Sequence, residues 1–296
     1  MDRRTYLKSG VAGVAGLTLA GCLGGGGSGD GGEGSNGGSD GGNDGSTSTE
    51  SGDDTPESIV IGSDIPYPPF EYRDENDNLV GFDVDIAQAV FGDQLGIEHE
   101  FQATAFDTII GSLNNGNFRL IMSAMTIKPE RAEKVDFSDP YFTAYQTIVV
   151  LQDSDITSKQ DLKGADVGVQ KGTTGEGAAE QLKAEFGGDL SIESYDQING
   201  AFDALLNNQV SAVINDNTVN AGFVDKVPDK VRFVEGEGAA ADQGKDAPPY
   251  LTLTVEEYGI AFRKDDDAFR KKVNEALATI KENGTYDDIY GEYFAG

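Results

Sequence analysis

From Ser58 onward, short apolar runs alternate with longer stretches whose apolar residues recur at helical spacing, and few folds accept that alternation. "SIVIG" reads as a buried strand bounded by polar residues. "DVDIAQAVFGDQL" sets Ile86 and Val90 on one helical face, with Ala87 and Phe91 beside them. "IEHEFQA" alternates as a strand does, "FDTIIGSLNNG" is a helix with an Asn-Asn-Gly stop, and "FRLIMSA" is the next strand. A second series begins near residue 146. It runs strand "QTIVVL", strand "DVGVQ", helix "EGAAEQLKAEF", strand "LSIES", helix "INGAFDALLNN", strand "VSAVIN" and strand "VRFVE". The strand "YGIAFR" and two helical stretches, 266–281 and 284–294, close the chain. This order predicts an α/β protein whose sheets are mostly parallel and flanked by helices.

The two series echo each other. "FDTIIGSLNNGNFRLIMSAMT" and "FDALLNNQVSAVINDNT" share a Phe-Asp, an apolar helix, Asn-Asn and an apolar strand that runs into polar residues. In open α/β sheets, ligands bind beyond the carboxyl ends of strands. One echo ends at Ala124-Met125-Thr126 and the other at Asn215-Asp216, so the expectation is two lobes that offer polar groups across a cleft.

Charge narrows the partners. With 52 Asp and Glu against 22 Lys and Arg, the formal net charge is −30, which disfavours nucleic acid and anionic lipid surfaces. So acidic a surface suits concentrated salt, where screening suppresses self-repulsion, and the chain reads as halophilic, a haloarchaeal origin being expected. One Cys and one His leave no intrachain disulfide and no Cys–His metal cluster, and no cofactor is implied. His99 falls in the alternating strand and reads as structural.

The N-terminus reads as an address. "MDRRTYLKSGVAGVAGLTLAGC" passes from basic residues through an apolar stretch too short to span a bilayer, the pattern of a signal peptide over residues 1–22. Arg3 and Arg4, with Leu7 and Lys8, resemble a twin-arginine export motif, although Asp2 and Tyr6 replace its usual Ser and Phe. "LAGC" resembles a lipobox, which makes Cys22 the expected lipidation site and membrane anchor. Residues 23–56, rich in Gly, Ser and Asp and without Lys or Arg, read as a disordered tether. The folded part is therefore expected outside the cytoplasm, at the cell surface.

"SAMTIKPERAEKVDFSDPYF" places a guanidinium, Arg131, just after an apolar run in this acidic chain. Taken alone, Arg131 would pair with Glu130, Glu133 or Asp136 on a solvated turn, a contact worth little. Asp216, in "NDNT", would by itself be a helix N-cap. "GFDVD" reads as a turn at Gly81 and an acidic first helical turn, so Glu71, Asp83 and Asp85 are left out of the expected site.

Five segments together resemble the extracellular solute-binding proteins of family three, receptors for polar amino acids in ABC importers. They are "IVIGSDIPYPPFEYRDENDNLVGFDVDIAQAV", "TIKPERAEKVDFSDPYF", "VGVQKGTTGEGAAEQL", "INDNT" and "YGIAFRKDDDAFRKKVNEALATIKENGTYDDIYGEYF". The resemblance covers essentially residues 57–296. It implies a type II periplasmic-binding-protein-like fold of two α/β lobes joined by two crossover strands. Lobe 1 would comprise 57–143 and 258–296, and lobe 2 would comprise 146–254. The segment before the second crossover, within 236–250, is longer than the family usually has.

The resemblance also implies roles. Arg131 aligns with the residue that grips the ligand's carboxylate, where a planar fork suits two oxygens. Thr126, through backbone N–H and hydroxyl, and Thr174, on a Gly-bearing turn into a helix, align with further donors to that group. Asp216 aligns with the partner of the ammonium, with the Ala124 carbonyl as second acceptor. Tyr67 and Phe106 align with aromatic residues that sandwich the ligand's side chain, and Asp64 with an acidic residue near its end. Gln170 and Asn215 stand where members with different ligands differ. The expected ligand is glutamine or a basic L-amino acid, the expected partners are ABC permease subunits, and a monomer is expected. A chemotaxis or signalling sensor and a cyclohexadienyl-dehydratase-like enzyme stay open as alternatives. Neighbouring permease or transducer genes separate the first, and turnover of prephenate or arogenate the second.

Overall fold

The structure, a computed structural model, describes residues 55–245 and 248–294. The export signal, Cys22 and nearly all of the tether lie outside the described residues. Two five-stranded sheets organise the rest. The first runs Glu98–Ala103, Ser58–Ser63, Leu120–Ile121, Ala261–Phe262, Asp136–Phe137 in spatial order. The second runs Ser191–Tyr195, Asp166–Gln170, Ala212–Asp216, Gln146–Leu151, Val231–Phe233.

Each sheet keeps three parallel strands at one side and takes antiparallel strands at the other. The chain's two crossings explain the change of direction. Phe142–Ala144 leaves the first sheet and pairs antiparallel with the returning Glu256–Tyr258. A chain arriving across this ribbon enters the next sheet at the carboxyl ends of the parallel strands, so it must run against them. Gln146 accordingly pairs with Asp216, and Ala261 with Ile121. The predicted strand "YGIAFR" is thus two strands, because Tyr258 belongs to the crossing and Ala261 to the sheet.

Local sequence accounts for most elements. Ile59 and Ile61 bury one face of Ser58–Ser63, as alternation requires. Helix Asp267–Glu282 buries Phe269, Val273, Ala276, Leu277 and Ile280, a stripe at helical spacing. The helix predicted over "DVDIAQAVFGDQL" is α-helical over Phe82–Ala87 and widens to a π-helix over Gln88–Gln94, with Ile86, Ala87, Val90 and Phe91 all buried. His99 sits in its strand against the Phe91 ring, at 6.0 Å between centroids, a packing position. Helix Asn217–Lys226 went unpredicted because it has no apolar stripe and buries only Val219 and Asn220. Under the crossings, Phe70 meets Phe142 at 5.1 Å and Tyr258 at 5.4 Å between ring centroids, which ties the lobe-1 core to both crossing strands.

The long segment before the second crossing is anchored. Its short helix Ala239–Asp242 donates the Ala239 and Ala240 N–H groups to the Thr252 carbonyl and hydroxyl, both at 2.9 Å. Tyr250 stacks on Phe233 at 4.2 Å.

Candidate functional site

A narrow cavity of about 20 Å³ lies between the two sheets. Asp64, Tyr67, Phe106, Ser123, Ala124, Thr126, Arg131, Gln170, Thr173, Thr174 and Asp216 line it. All eight ligand-site residues expected from the sequence therefore surround one space. The parallel strands bring them there. Asp64 and Tyr67 follow Ser58–Ser63, and Ser123, Ala124 and Thr126 follow Leu120–Ile121. Gln170 ends Asp166–Gln170, and Asp216 ends Ala212–Asp216.

Arg131 is buried in the short helix Pro129–Ala132 and is not a surface ion-pair residue. Glu130 pairs with Lys128 instead, and Asp136 with Lys264. The guanidinium donates Nη1 to the Thr126 carbonyl at 2.9 Å and Nη2 to the Gly172 carbonyl at 3.2 Å, so it spans both lobes. It rests 5.1 Å from the Phe106 ring centroid. Gly172 has φ +77°, and a side chain there would strike Asp107, so glycine permits this turn and its reach toward Arg131. Burial lowers the Arg131 pKa from its ordinary value, while Glu256 and Asp216 pull the other way.

Thr126 departs from its expected role in one respect. Its hydroxyl lies 2.7 Å from Glu256 Oε2, to which it donates, and 3.4 Å from the Thr174 hydroxyl, while its backbone N–H has no partner among the described residues. Thr174 opens the helix Thr174–Glu185, whose first N–H groups have no intrahelical acceptor. Its Oγ1 accepts Gln146 Nε2 at 3.1 Å.

Asp216 stands at the N-cap of Asn217–Lys226 yet makes no side-chain cap bond. Its carboxylate instead accepts the Tyr67 hydroxyl and Gln146 Nε2. Burial, followed by the charge of Glu256, raises its pKa to about 7. Tyr67 also donates to Asn215 Oδ1 at 3.1 Å. Asp64 accepts Gln170 Nε2 and, at 2.9 Å, Gln197 Nε2. Burial raises Asp64 to about 6, opposed by the Gln170 amide and helped by the charge of Asp107.

Three polar residues of this network escaped the sequence reading. Glu256 is buried on the second crossing strand and takes donors from Thr126 and Thr254. Gln146 begins the first strand of the second sheet, and Gln197 precedes the helix Ile198–Leu206. Each is a polar residue at or beside the end of a strand or helix, a pattern any such end shows. Their meaning arises only when residues distant in the chain, Asp216 at 70 residues for Gln146, Thr126 at 130 for Glu256 and Asp64 at 133 for Gln197, are brought against them.

A sequence profile of the bacterial extracellular solute-binding proteins, family 3, matches residues 59–296. The arginine-binding extracellular protein ArtP of Bacillus subtilis (strain 168) is 34% identical over 250 residues, covering 84% of this chain and 91% of that protein. Among solved structures, an ancestral arginine-binding protein bound to arginine matches with a TM-score of 0.71 and 38% identity, over 81% of this chain and 99% of that one. An ancestral arginine-binding protein bound to glutamine matches with a TM-score of 0.71 and 37% identity, over the same shares.

Proposed function

This chain belongs to the bacterial extracellular solute-binding proteins, family 3, and we propose that it captures a basic L-amino acid, arginine foremost, for an ABC importer. The carrying observation is the charge around the cavity. Asp64 and Asp216 line it and Glu256 stands directly behind Thr126, against the single guanidinium of Arg131. A zwitterion with a neutral side chain leaves that excess negative charge uncompensated in a dry site, whereas a cationic side chain reduces it. The ligand's carboxylate meets Arg131, the Thr126 N–H and the start of the Thr174 helix. Its ammonium meets Asp216 and the Ala124 carbonyl. Its side chain runs between Tyr67 and Phe106 toward Asp64. The arginine-binding relatives support this choice, and the same relatives, being binding proteins, support capture and release without covalent chemistry. Glutamine is the second reading, favoured by the Gln170 and Gln197 amides that frame Asp64.

Calorimetry with L-arginine, L-lysine, L-histidine, L-glutamine, L-glutamate and L-leucine decides between these readings. Arginine should bind tightest, glutamine more weakly, and glutamate and leucine not measurably. Asp64→Asn should narrow the gap between arginine and glutamine by about tenfold, one unscreened charge contact. Tightest binding of glutamate would overturn the role given to the carboxylates.

The location rests on residues 1–56. We propose that Cys22 carries the lipid and that the Gly-rich tether holds the receptor just off the membrane after twin-arginine export. Cys22→Ser is expected to move the protein from the membrane fraction to the medium; retention in the membrane would remove the anchor. The −30 charge supports a life in concentrated salt, for which the melting temperature of the unliganded chain should rise from low salt to molar KCl.

A further inference from the structure

The "GFDVD" motif leads not to solvent but to the back of the cleft. Asp83 and Glu71 are both fully buried, at 0% exposure. Asp83 Oδ2 accepts the Ala124 N–H at 2.8 Å, and the Asp83 oxygens accept the Tyr141 hydroxyl at 2.9 and 3.0 Å. Glu71 Oε1 accepts the Ser123 hydroxyl at 2.8 Å, and that hydroxyl oxygen accepts the Asp64 N–H at 2.9 Å. The second oxygen, Glu71 Oε2, is buried, as is the hydroxyl of Ser63, which faces the Glu71 carboxyl and makes no other hydrogen bond among the described residues.

Among the described residues no cation pairs with either carboxyl. The groups that face it from the packed elements are Ser63, Asp64, Tyr67, Tyr141 and, from the last helix, Tyr286. Lys281, on the neighbouring helix, is turned to the Pro140 carbonyl and the Tyr286 ring. Two carboxylates with no counter-ion do not both ionise in a dry interior. One proton held by the pair removes that repulsion. Burial and the charge of Asp83 also push Glu71 well above the ordinary carboxyl range.

Ala124 receives the consequence. Its φ of +44° is a conformation that side-chain-bearing residues seldom adopt, and it persists only where surroundings over-determine it. Here Asp83 holds the Ala124 N–H and Glu71 holds the preceding Ser123. We propose that Glu71 and Asp83 form a proton-sharing positioning pair that fixes the turn at Ser123 and Ala124 from behind, in the conformation that presents the Ala124 carbonyl to the ligand's ammonium. This deepens the amino acid reading of the cleft and rests on it.

The test uses the full chain with Glu71→Gln and Glu71→Ala, L-arginine as probe, and melting curves of the unliganded protein from pH 5 to 9. Glutamine mimics a protonated Glu71, so Glu71→Gln should keep arginine affinity within about threefold, while Glu71→Ala should lose about tenfold. A carboxyl whose folded pKa is raised loses stability as pH climbs above its unfolded value of about 4.5. The melting temperature of Glu71→Gln should therefore fall less from pH 5 to 9 than that of the wild type. Loss of affinity in Glu71→Gln equal to that in Glu71→Ala, or parallel melting profiles, would overturn the shared proton. Wild-type affinity in Glu71→Ala would overturn the positioning role. The melting profiles need no ligand, so wild-type protein that refuses arginine counts against the ligand and leaves the proton to be decided separately. If Glu71→Ala does not fold, Glu71→Gln still decides through both readouts.

Discussion

Arg131→Ala is expected to lower affinity for L-arginine by roughly thirtyfold or more. Truncating one partner of a buried charge pair costs about 2–5 kcal/mol, because the other charge is left desolvated and alone. Here the loss is compound. In the proposed binding mode the ligand's carboxylate loses its cation, and the Thr126 and Gly172 carbonyls lose the donors that join the two lobes across the cleft. Arg131→Lys should also bind weakly, since an ammonium cannot donate in a planar fork to a carboxylate while holding both carbonyls. Calorimetry measures the loss, and the melting temperature of the unliganded variant checks that the fold persists. Arginine bound as tightly by Arg131→Ala as by the wild type would return this residue to a purely structural part.

The second large effect is expected from pH. Affinity for L-arginine should fall on the order of 100-fold or more from pH 8 to pH 5. Burial first of all raises Asp216 to about 7 and Asp64 to about 6. A bound cation favours the ionised carboxylate and pulls each pKa down. Ligand therefore binds the deprotonated site, and affinity rises with pH until both groups are ionised, levelling off above about pH 8. Binding near pH 6.5 should release about one proton, most of it from Asp216. Calorimetry in two buffers of different protonation enthalpy counts that proton directly. A flat affinity profile from pH 5 to 8 with no proton released would show that these carboxyls do not meet the ligand's cations. Asp64→Asn should leave the Asp216 part of the profile in place, which separates the two contributions.

Much of this protein was legible before any coordinate. Alternating apolar runs and helical stripes depend on neighbours in sequence, and burial of one face follows from periodicity alone. The strands "SIVIG", "QTIVVL" and "DVGVQ" and the stripe of Asp267–Glu282 were readable for that reason. So was the general place of the ligand, since strand ends face a cleft in any such sheet. Elements without periodicity were not legible, and helix Asn217–Lys226, with its two buried residues, is the example.

The chemistry of the site divides in the same way. Sequence order carried Arg131, Asp216 and Asp64 as residues worth placing, by resemblance and by charge type. It did not carry what each one touches. Thr126 offers its hydroxyl to Glu256, 130 residues away, and Asp64 takes the Gln170 amide from 106 residues away. Asp83 stands in the first turn of its helix as read, but its carboxylate is also buried against Ala124, 41 residues on. Electrostatics falls with distance in space and ignores separation along the chain. The sequence by itself therefore determined the elements, the sheet class and the types of residue available. Only the tertiary structure decided which carboxyls are desolvated together, which hydroxyls are already occupied, and which pKa values move, because each depends on neighbours the fold supplies from elsewhere in the chain.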